Sequence, residues 1–570
     1  MIVVVAPPAR NRRPGVSRQA LIAVAQLRLM ILSLLFGFGA FVLVAKLAFL
    51  AVWTEPATAR DITAGLVPAR GDIVDRNGAP LARTIDAWSI AIHPNRVIGD
   101  KAALAQKLAE LLPERSAAQY EALLKSNVGF AYLKRRAMPE LVHAINALGE
   151  PAVEFQREPD RLYPQSAMAA HVLGYIGYDG HGVAGMEKAL DARLTDPARR
   201  REPVALSIDS RVQAALESEL GSAMTAFQAQ GAAGVILDVS TGEVMAMVSL
   251  PAFNPNAITG IPPRNNVTQS VYELGSTFKP IAVAAAIDAG VVTSMARRFD
   301  ATVPLKVGRF TIHDDRGDEQ KRWLNIPETL IYSSNIATAR IADEVGPERM
   351  QAMFRRLGFD QRPQIELGDG ARPLWPGFWA RTTVMTTAYG HGIAVTPLHL
   401  AKAYAALVNG GTLRPATLLK IDPAHANPGQ RVVSEATSAR MRQLLRLIVL
   451  EGTGRKGDAV GFRVGGKTGT AEVAQAGGYN KHSNVSTFAA AFPMDAPRYV
   501  VVAMLDSPIG NAKTFGLTTA AWTAAPVVGR VVTRVGAILG VRPDAARDID
   551  VSELTPLIWR NPKDKRLAAQ

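Results

Sequence analysis

The sequence contains no cysteine, which excludes disulfide frameworks, Cys-ligated zinc, iron–sulfur clusters and thiol nucleophiles together. The same absence leaves the compartment open, because a cysteine-free chain survives either redox environment. Aromatic residues are sparse, at 6%. No Arg/Lys cluster is interleaved with them, so the formal net charge of +14 reads as a solvated surface and no nucleic-acid partner is expected. Diffuse positive charge of this kind suits an anionic membrane or polymer. Internal repeats and low-complexity tracts are missing, as is any second apolar run as long as the first. With 48% hydrophobic and 20% charged residues the chain is globular. Its 570 residues call for more than one folded unit.

Residues 29–53 form a single apolar stretch broken only by Lys46. A bilayer-crossing helix needs about 20 such residues. Lys46 lies near one end, where its stem can snorkel to the headgroups, and Trp53 suits the interface. Arg10, Arg12, Arg13, Arg18 and Arg28 precede or open the stretch, and no acidic residue occurs before Glu55. This asymmetry predicts a cytoplasmic N-terminus and export of everything beyond Thr54. The alternative is a cleaved signal peptide, since Ala57-Thr58-Ala59 resembles a cleavage site. The run exceeds the roughly 7–15 residues of a signal core, which favours an uncleaved anchor.

The expected organisation is a cytoplasmic basic segment (1–28), a transmembrane anchor (29–53), a non-catalytic pedestal (54–203), a catalytic domain (204–540) and a loosely held tail (541–570). Within the pedestal, 102–112, 117–124 and 139–148 carry apolar residues at helical spacing. Residues 70–78 read as a short strand entering an Asn-Gly turn. The region advertises no chemistry and is read as a structural spacer. Beyond 204, β-prone runs at 232–239 and 243–250 flank Ser240-Thr241-Gly242 as a hairpin. Further strands are expected at 463–472, 486–492 and 499–506, followed by a helix over 518–535 kinked at Pro526. Two early strands, three late ones and helices between them predict an α+β fold: one antiparallel sheet flanked by helices, its edges drawn from distant sequence.

Three motifs lie in order within this second region: Gly275-Ser276-Thr277-Phe278-Lys279-Pro280, Tyr332-Ser333-Ser334-Asn335 and Gly465-Gly466-Lys467-Thr468-Gly469-Thr470. They are S-x-x-K, S-x-N and K-T-G, the set of serine penicillin-interacting enzymes. Each is weak alone; their conjunction is strong. Pro280 is tolerated only in the first turn of a helix, so Ser276 sits at the N-terminal end, where its N–H and the helix dipole can stabilise an oxyanion. Lys279, three residues on, shares its face. A serine hydroxyl needs a nearby base, and a lysine serves only when neutral. Burial and a second cation push it that way, and Lys467 is the candidate cation. Ser333 fits a proton relay to a leaving amine, and Asn335 can grip a peptide bond and Lys279 together. Ser334 is expected to point away. Strand alternation puts Lys467 and Gly469 on one face, Thr468 and Thr470 on the other.

On these motifs the chain resembles the class B penicillin-binding proteins, most closely the division-type (FtsI-like) peptidoglycan D,D-transpeptidases. Segments 70–78, 182–191, 272–280, 395–397 and 451–454 are also family-like. The resemblance implies a ping-pong acyl transfer in which Ser276 attacks the carbonyl between two terminal D-alanines of a stem peptide, with β-lactams acylating the same serine. It implies that Lys467, Thr468 and Thr470 meet the substrate's C-terminal carboxylate. It further implies that Gly469 makes room for the substrate backbone, and that the N–H groups of Ser276 and Thr470 form the oxyanion hole. No metal or organic cofactor is called for. The implied partners are a SEDS-type glycosyltransferase and other division proteins, and the implied location is the bacterial inner membrane, single-pass, with the catalytic domain periplasmic. Ser-Ser-Asn in place of Ser-Asp-Asn, together with the anchor and spacer, argues against a β-lactamase. An elongation-type homologue, a membrane-bound β-lactam sensor and an inactive binding scaffold remain as alternatives. His313, Asp314 and Asp315 are read as a solvated loop, His171 and His391 as packing or turn residues, and Glu273 is given no role.

Overall fold

The computed structural model describes residues 18–53, 69–315, 317–475 and 478–560. The basic residues before Arg18 and the cleavage-like Ala57-Thr58-Ala59 lie outside them. Arg18–Trp53 is one 36-residue helix. Within it Gln26–Lys46 is long and apolar enough to cross a membrane, and none of that window is buried in protein. The helix starts well before the expected boundary at residue 29, because Arg, Gln and Ala in the polar flank are good helix formers. It forms one unit; residues from Val67 onward form a second, described separately here.

In the second unit the pedestal is built on a sheet, which the helical spacings did not reveal. Pro80–Ile92 is its central strand. It pairs antiparallel with Val153–Leu162 along most of its length, with Ala131–Ala137 on the other side, and with Ile73–Val74 near its start. Helices Lys101–Leu111, Ala117–Lys125 and Pro139–Asn146 agree closely with the expected spans. The first two are capped by side chains: Asp100 accepts from the Ala102 N–H, and Ser116 forms a reciprocal capping box with Gln119. Leu104, Leu108, Tyr120 and Leu124 bury one face of this pair against Ile90 and Ile92.

The pedestal is not a detached spacer. Ile73 pairs in parallel with Val204, and Ile73, Leu81 and Tyr163 belong to the same hydrophobic cluster as the catalytic domain's interior. The 70–78 segment makes the join. Asp75 accepts from the Ser210 N–H (3.1 Å), and Asn77 Nδ2 donates to Asp209 (3.1 Å).

The catalytic domain has the expected five-stranded antiparallel sheet, in the order Gly465–Gln475, Gly478–Phe492, Tyr499–Asp506, Gly231–Asp238, Val244–Leu250. Both faces are covered. Val500, Val502 and Met504 enter one core, while Val501, Ala503 and Leu505 enter the other. Each fully buried valine contributes about 1.5–3 kcal/mol. The first core holds the wholly buried helix Pro397–Val408 and the helix Lys279–Asp288; the second holds Ser210–Ala226 and Ala524–Val535. The last helix begins at Ala524, not at 518, so Pro526 falls in its first turn and no kink is required. Residues 541–560, expected to be loosely held, are docked: Leu554 is buried in the main core and Arg446 grips Asp548 at 2.6 Å.

A charge cluster locks the pedestal's entry strand. Glu187 is fully buried between Arg70 (2.9 Å) and Arg161 (2.7 Å), and Arg161 also donates to the Gly71 carbonyl (2.9 Å). Removing one partner from such a set strands the others in a dry interior. Glu187→Ala is therefore expected to lower stability by about 3–5 kcal/mol in chemical denaturation, with Glu187→Gln intermediate.

Candidate active site

Residues Gly275–Phe278 form a single 3-10 turn that feeds helix Lys279–Asp288, with Pro280 in its first turn. Ser276 therefore precedes the helix by one tight turn instead of beginning it, and it is half-buried. Three neighbours fix this turn. Tyr272 exchanges backbone hydrogen bonds with Val395 (2.9 and 3.0 Å). Tyr404, from the buried helix, donates its hydroxyl to the Thr277 carbonyl (2.9 Å). Phe278 packs between Phe354 and Phe359. Gly275 has φ +54°, and a Cβ there would lie 2.7 Å from the Thr470 carbonyl oxygen. Only glycine lets the turn back this closely onto the K-T-G strand.

Lys279 and Lys467 have no exposed surface. Lys279 Nζ donates to the Ser333 carbonyl and, at 3.1 Å, to the Ser333 hydroxyl. Lys467 Nζ donates to the same hydroxyl at 2.9 Å. One serine oxygen thus lies between two amines. Burial pushes Lys279 down to about 8, against the pull of Asp315, Asp314 and Asp318. Burial and then the charge of Lys279 hold Lys467 well below the ordinary lysine range, with Asp315 and Asp318 opposing. Ser333 itself sits at φ +57°, a left-handed conformation that side chains with a Cβ rarely adopt.

Two expected contacts are corrected. Lys467 was assigned to the substrate carboxylate, but its Nζ is directed to Ser333 Oγ, the Thr468 carbonyl (2.9 Å) and Thr468 Oγ1 (3.4 Å), and it is wholly enclosed. Any influence of Lys467 on a bound carboxylate therefore passes through those hydroxyls. Gly469 was assigned to substrate clearance. A Cβ there would instead strike the Leu274 carbonyl at 2.3 Å and Thr277 at 2.7 Å, so the missing side chain seats the nucleophile's own turn. Thr468 Oγ1 meets Thr453 Oγ1 at 2.6 Å, and Thr470 Oγ1 accepts from the Ala520 N–H at 3.1 Å.

Ser334 points away as expected: its hydroxyl caps helix Asn335–Val345 and donates to Asp314 (2.9 Å). Asp314 also accepts from the Ile336 N–H (3.0 Å). Asn335 Nδ2 donates to the His313 carbonyl (3.0 Å) and Asp315 (3.4 Å), leaving its amide oxygen as the group free of these bonds. The expected grip of Asn335 on Lys279 is replaced by Ser333, whose carbonyl and hydroxyl both accept from that amine. The loop read as solvated therefore belongs to the site. Asp314 is buried, and Asp318 is raised by burial and by Asp315, against the pull of Lys467 and Lys279. Asp314 and Asp315 carry no site role in the sequence reading, Thr453 falls in the family-like 451–454 segment without a role, and Asp318 is missed. The available signal was that two buried lysines demand nearby acidic charge, and residues 314–318 supply it just before S-x-N.

The strain at Ser333 is separable from its hydroxyl. Ser333→Ala and Ser333→Gly both delete the oxygen between the lysines, and only glycine adopts φ +57° freely. The glycine variant is expected to be more stable than the alanine variant by about 1 kcal/mol in thermal or chemical unfolding, with both equally impaired in acyl transfer.

The family described as the penicillin binding protein transpeptidase domain matches residues 232–528, and the penicillin-binding protein dimerisation domain matches 66–197. The chain is 42% identical to a probable peptidoglycan D,D-transpeptidase FtsI of Caulobacter vibrioides, over 84% of this chain and 82% of that one. It is 30% identical to the peptidoglycan D,D-transpeptidase FtsI of Escherichia coli, over 85% of this chain and 86% of the other. Among solved structures, penicillin binding protein 3 of Mycobacterium tuberculosis, complexed with aztreonam, is similar with a TM-score of 0.65 and 27% identity, covering 84% of this chain and 98% of that one. With Lys279 and Lys467 of the first and third motifs meeting at the Ser333 hydroxyl of the second, this chain belongs to the FtsI-like class B penicillin-binding proteins.

Proposed function

We propose that this chain cross-links peptidoglycan stem peptides as a serine D,D-transpeptidase of septal wall synthesis, with Ser276 as its nucleophile. The observation that carries the site assignment is the Ser333 hydroxyl held between two enclosed lysines. With its pKa near 8, Lys279 is in part neutral at physiological pH and can take the Ser276 proton. Ser276 Oγ bonds to the carbonyl carbon of the penultimate D-alanine, and the oxyanion is met by the N–H groups of Ser276 and Thr470. The C–N bond then breaks, and the proton passes from Lys279 through Ser333 to the departing D-alanine amine. An amine of a second stem attacks the resulting ester. It gives up its proton along the same route, and Ser276 is released with its hydroxyl restored. Thr468 and Thr470 take the substrate's terminal carboxylate, backed by Lys467, while Asn335 orients the donor peptide. β-Lactams present the same amide to Ser276 and are held as the ester. No metal or organic cofactor enters these steps.

The helix Gln26–Lys46 anchors the chain in a membrane. We place it in the bacterial inner membrane in a single pass, with the arginine-rich N-terminus cytoplasmic and the catalytic domain periplasmic, on the distribution of charge around the helix. Glycan polymerisation is assigned to a SEDS-type glycosyltransferase working with this chain and other division proteins, since the motifs here perform only acyl transfer.

Mass spectrometry of the penicillin-treated protein is expected to locate one adduct, on the Ser276 peptide, and Ser276→Ala to abolish fluorescent-penicillin labelling. D-Alanine release from a donor pentapeptide is expected alongside. Labelling without any release would replace this reading with a β-lactam sensor, and no labelling would leave a scaffold. Because Lys279 must be neutral to act, the acylation rate is expected to rise with pH through about 8 and then level off. A rate that falls across that window would exclude Lys279 as the base.

A further inference from the structure

The 541–560 segment reaches residues that adjoin the catalytic motifs at two points. At the first, Asp548 grips Arg446 (2.6 and 2.8 Å), and Arg446 Nη1 donates to the Val464 carbonyl (2.7 Å), one residue before the K-T-G strand. At the second, the Trp559 ring lies 5.1 Å from the Arg322 guanidinium, whose other ring neighbour is Tyr332 at 5.5 Å. Arg322 is thus stacked against two aromatic rings. Its Nε and Nη2 are buried and have no hydrogen-bond partner among the described residues, so ring contact carries much of what holds it.

The surrounding polar groups converge on one carboxylate. Glu328 Oε1 forms an ion pair with Arg322 Nη1 (2.9 Å) and accepts from the Trp559 N–H (2.9 Å), while Oε2 accepts from the Asn325 N–H (3.1 Å). Asn325 in turn donates to the Leu557 carbonyl (2.6 Å). The same short helix, Ile326–Ile331, ends at Tyr332, and the next residue is Ser333 in its left-handed conformation. A residue held at an unfavourable φ persists only where its surroundings fix it. Tyr332, the residue before Ser333, is in turn held to Trp559 through the Arg322 guanidinium.

We propose that Trp559 and Arg322 are positioning residues for Ser333, and that the 541–560 segment acts as a brace holding the Tyr332–Ser333 turn against the two lysines. The proposal rests on the reading of Ser333 as the proton relay, so its test includes a measurement independent of activity. Trp559→Ala removes the ring and keeps the backbone N–H that Glu328 accepts from; Trp559→Phe keeps a ring.

In the full chain in detergent, hydrogen exchange is expected to quicken in Trp559→Ala at the Tyr332, Ser333 and Ser334 amides, which are bonded to Glu328, Leu330 and Thr329. The acylation rate constant for a fluorescent penicillin is expected to fall about tenfold, with the dissociation constant of the initial complex and the melting temperature little changed. Trp559→Phe is expected to restore most of both. Unchanged exchange at these amides overturns the brace. Quickened exchange with an undiminished acylation constant overturns the positioning role. A parent protein that binds no penicillin at all overturns the proposed function, and the exchange measurement still decides whether the brace exists.

Discussion

Two lysine side chains without solvent contact meet a single serine hydroxyl, and this is the constraint around which the rest of the catalytic domain is organised. Enclosing one ammonium costs several kcal/mol, and enclosing two side by side adds their repulsion. The structure meets this cost in two ways. Burial shifts both lysines toward the neutral amine, and the charge of Lys279 adds to the shift of Lys467. An acidic loop at 314–318 then partly restores the charge from behind the S-x-N turn. The outcome is an amine poised between base and acid, which is what a reversible proton transfer requires.

Precision at the hydroxyl depends on backbones packed without intervening side chains. Gly275 backs onto the Thr470 carbonyl, and Gly469 backs onto Leu274 and Thr277. The nucleophile turn and the K-T-G strand are thereby seated on each other directly. A wholly buried helix, Pro397–Val408, ties the turn through Tyr404. Glycine in these motifs serves the enzyme's own assembly before it serves any ligand.

Much of the catalytic domain was legible in the sequence because local signals agreed with global ones. The five strands each carried β-prone runs bounded by turn residues, and the order of the motifs fixed which elements had to meet. The pedestal sheet was not legible. In Pro80–Ile92 the buried positions are Leu81, Ala82, Ala87 and then a near-continuous run at the end, so no alternation of period two announces a strand. In the acidic loop His313 and Asp315 are exposed, as consecutive polar residues suggest, and only tertiary structure turns Asp314 inward onto Ser334. The docking of 541–560 left no local trace either. Its contacts join residues about a hundred or more positions apart, such as Arg446 with Asp548 and Glu328 with Trp559.

Among the described residues, the strand bearing Lys467 is the outermost of its sheet, paired on one side only, with Gly478–Phe492. An extended peptide laid along that open margin would be recognised chiefly through its main chain. Recognition of that kind is tolerant of which side chains the guest carries. It is strict about handedness, because inverting a residue's configuration exchanges the direction in which its side chain leaves the ribbon. A catalyst built on a terminal strand is thus suited to sorting peptides by stereochemistry before sorting them by composition.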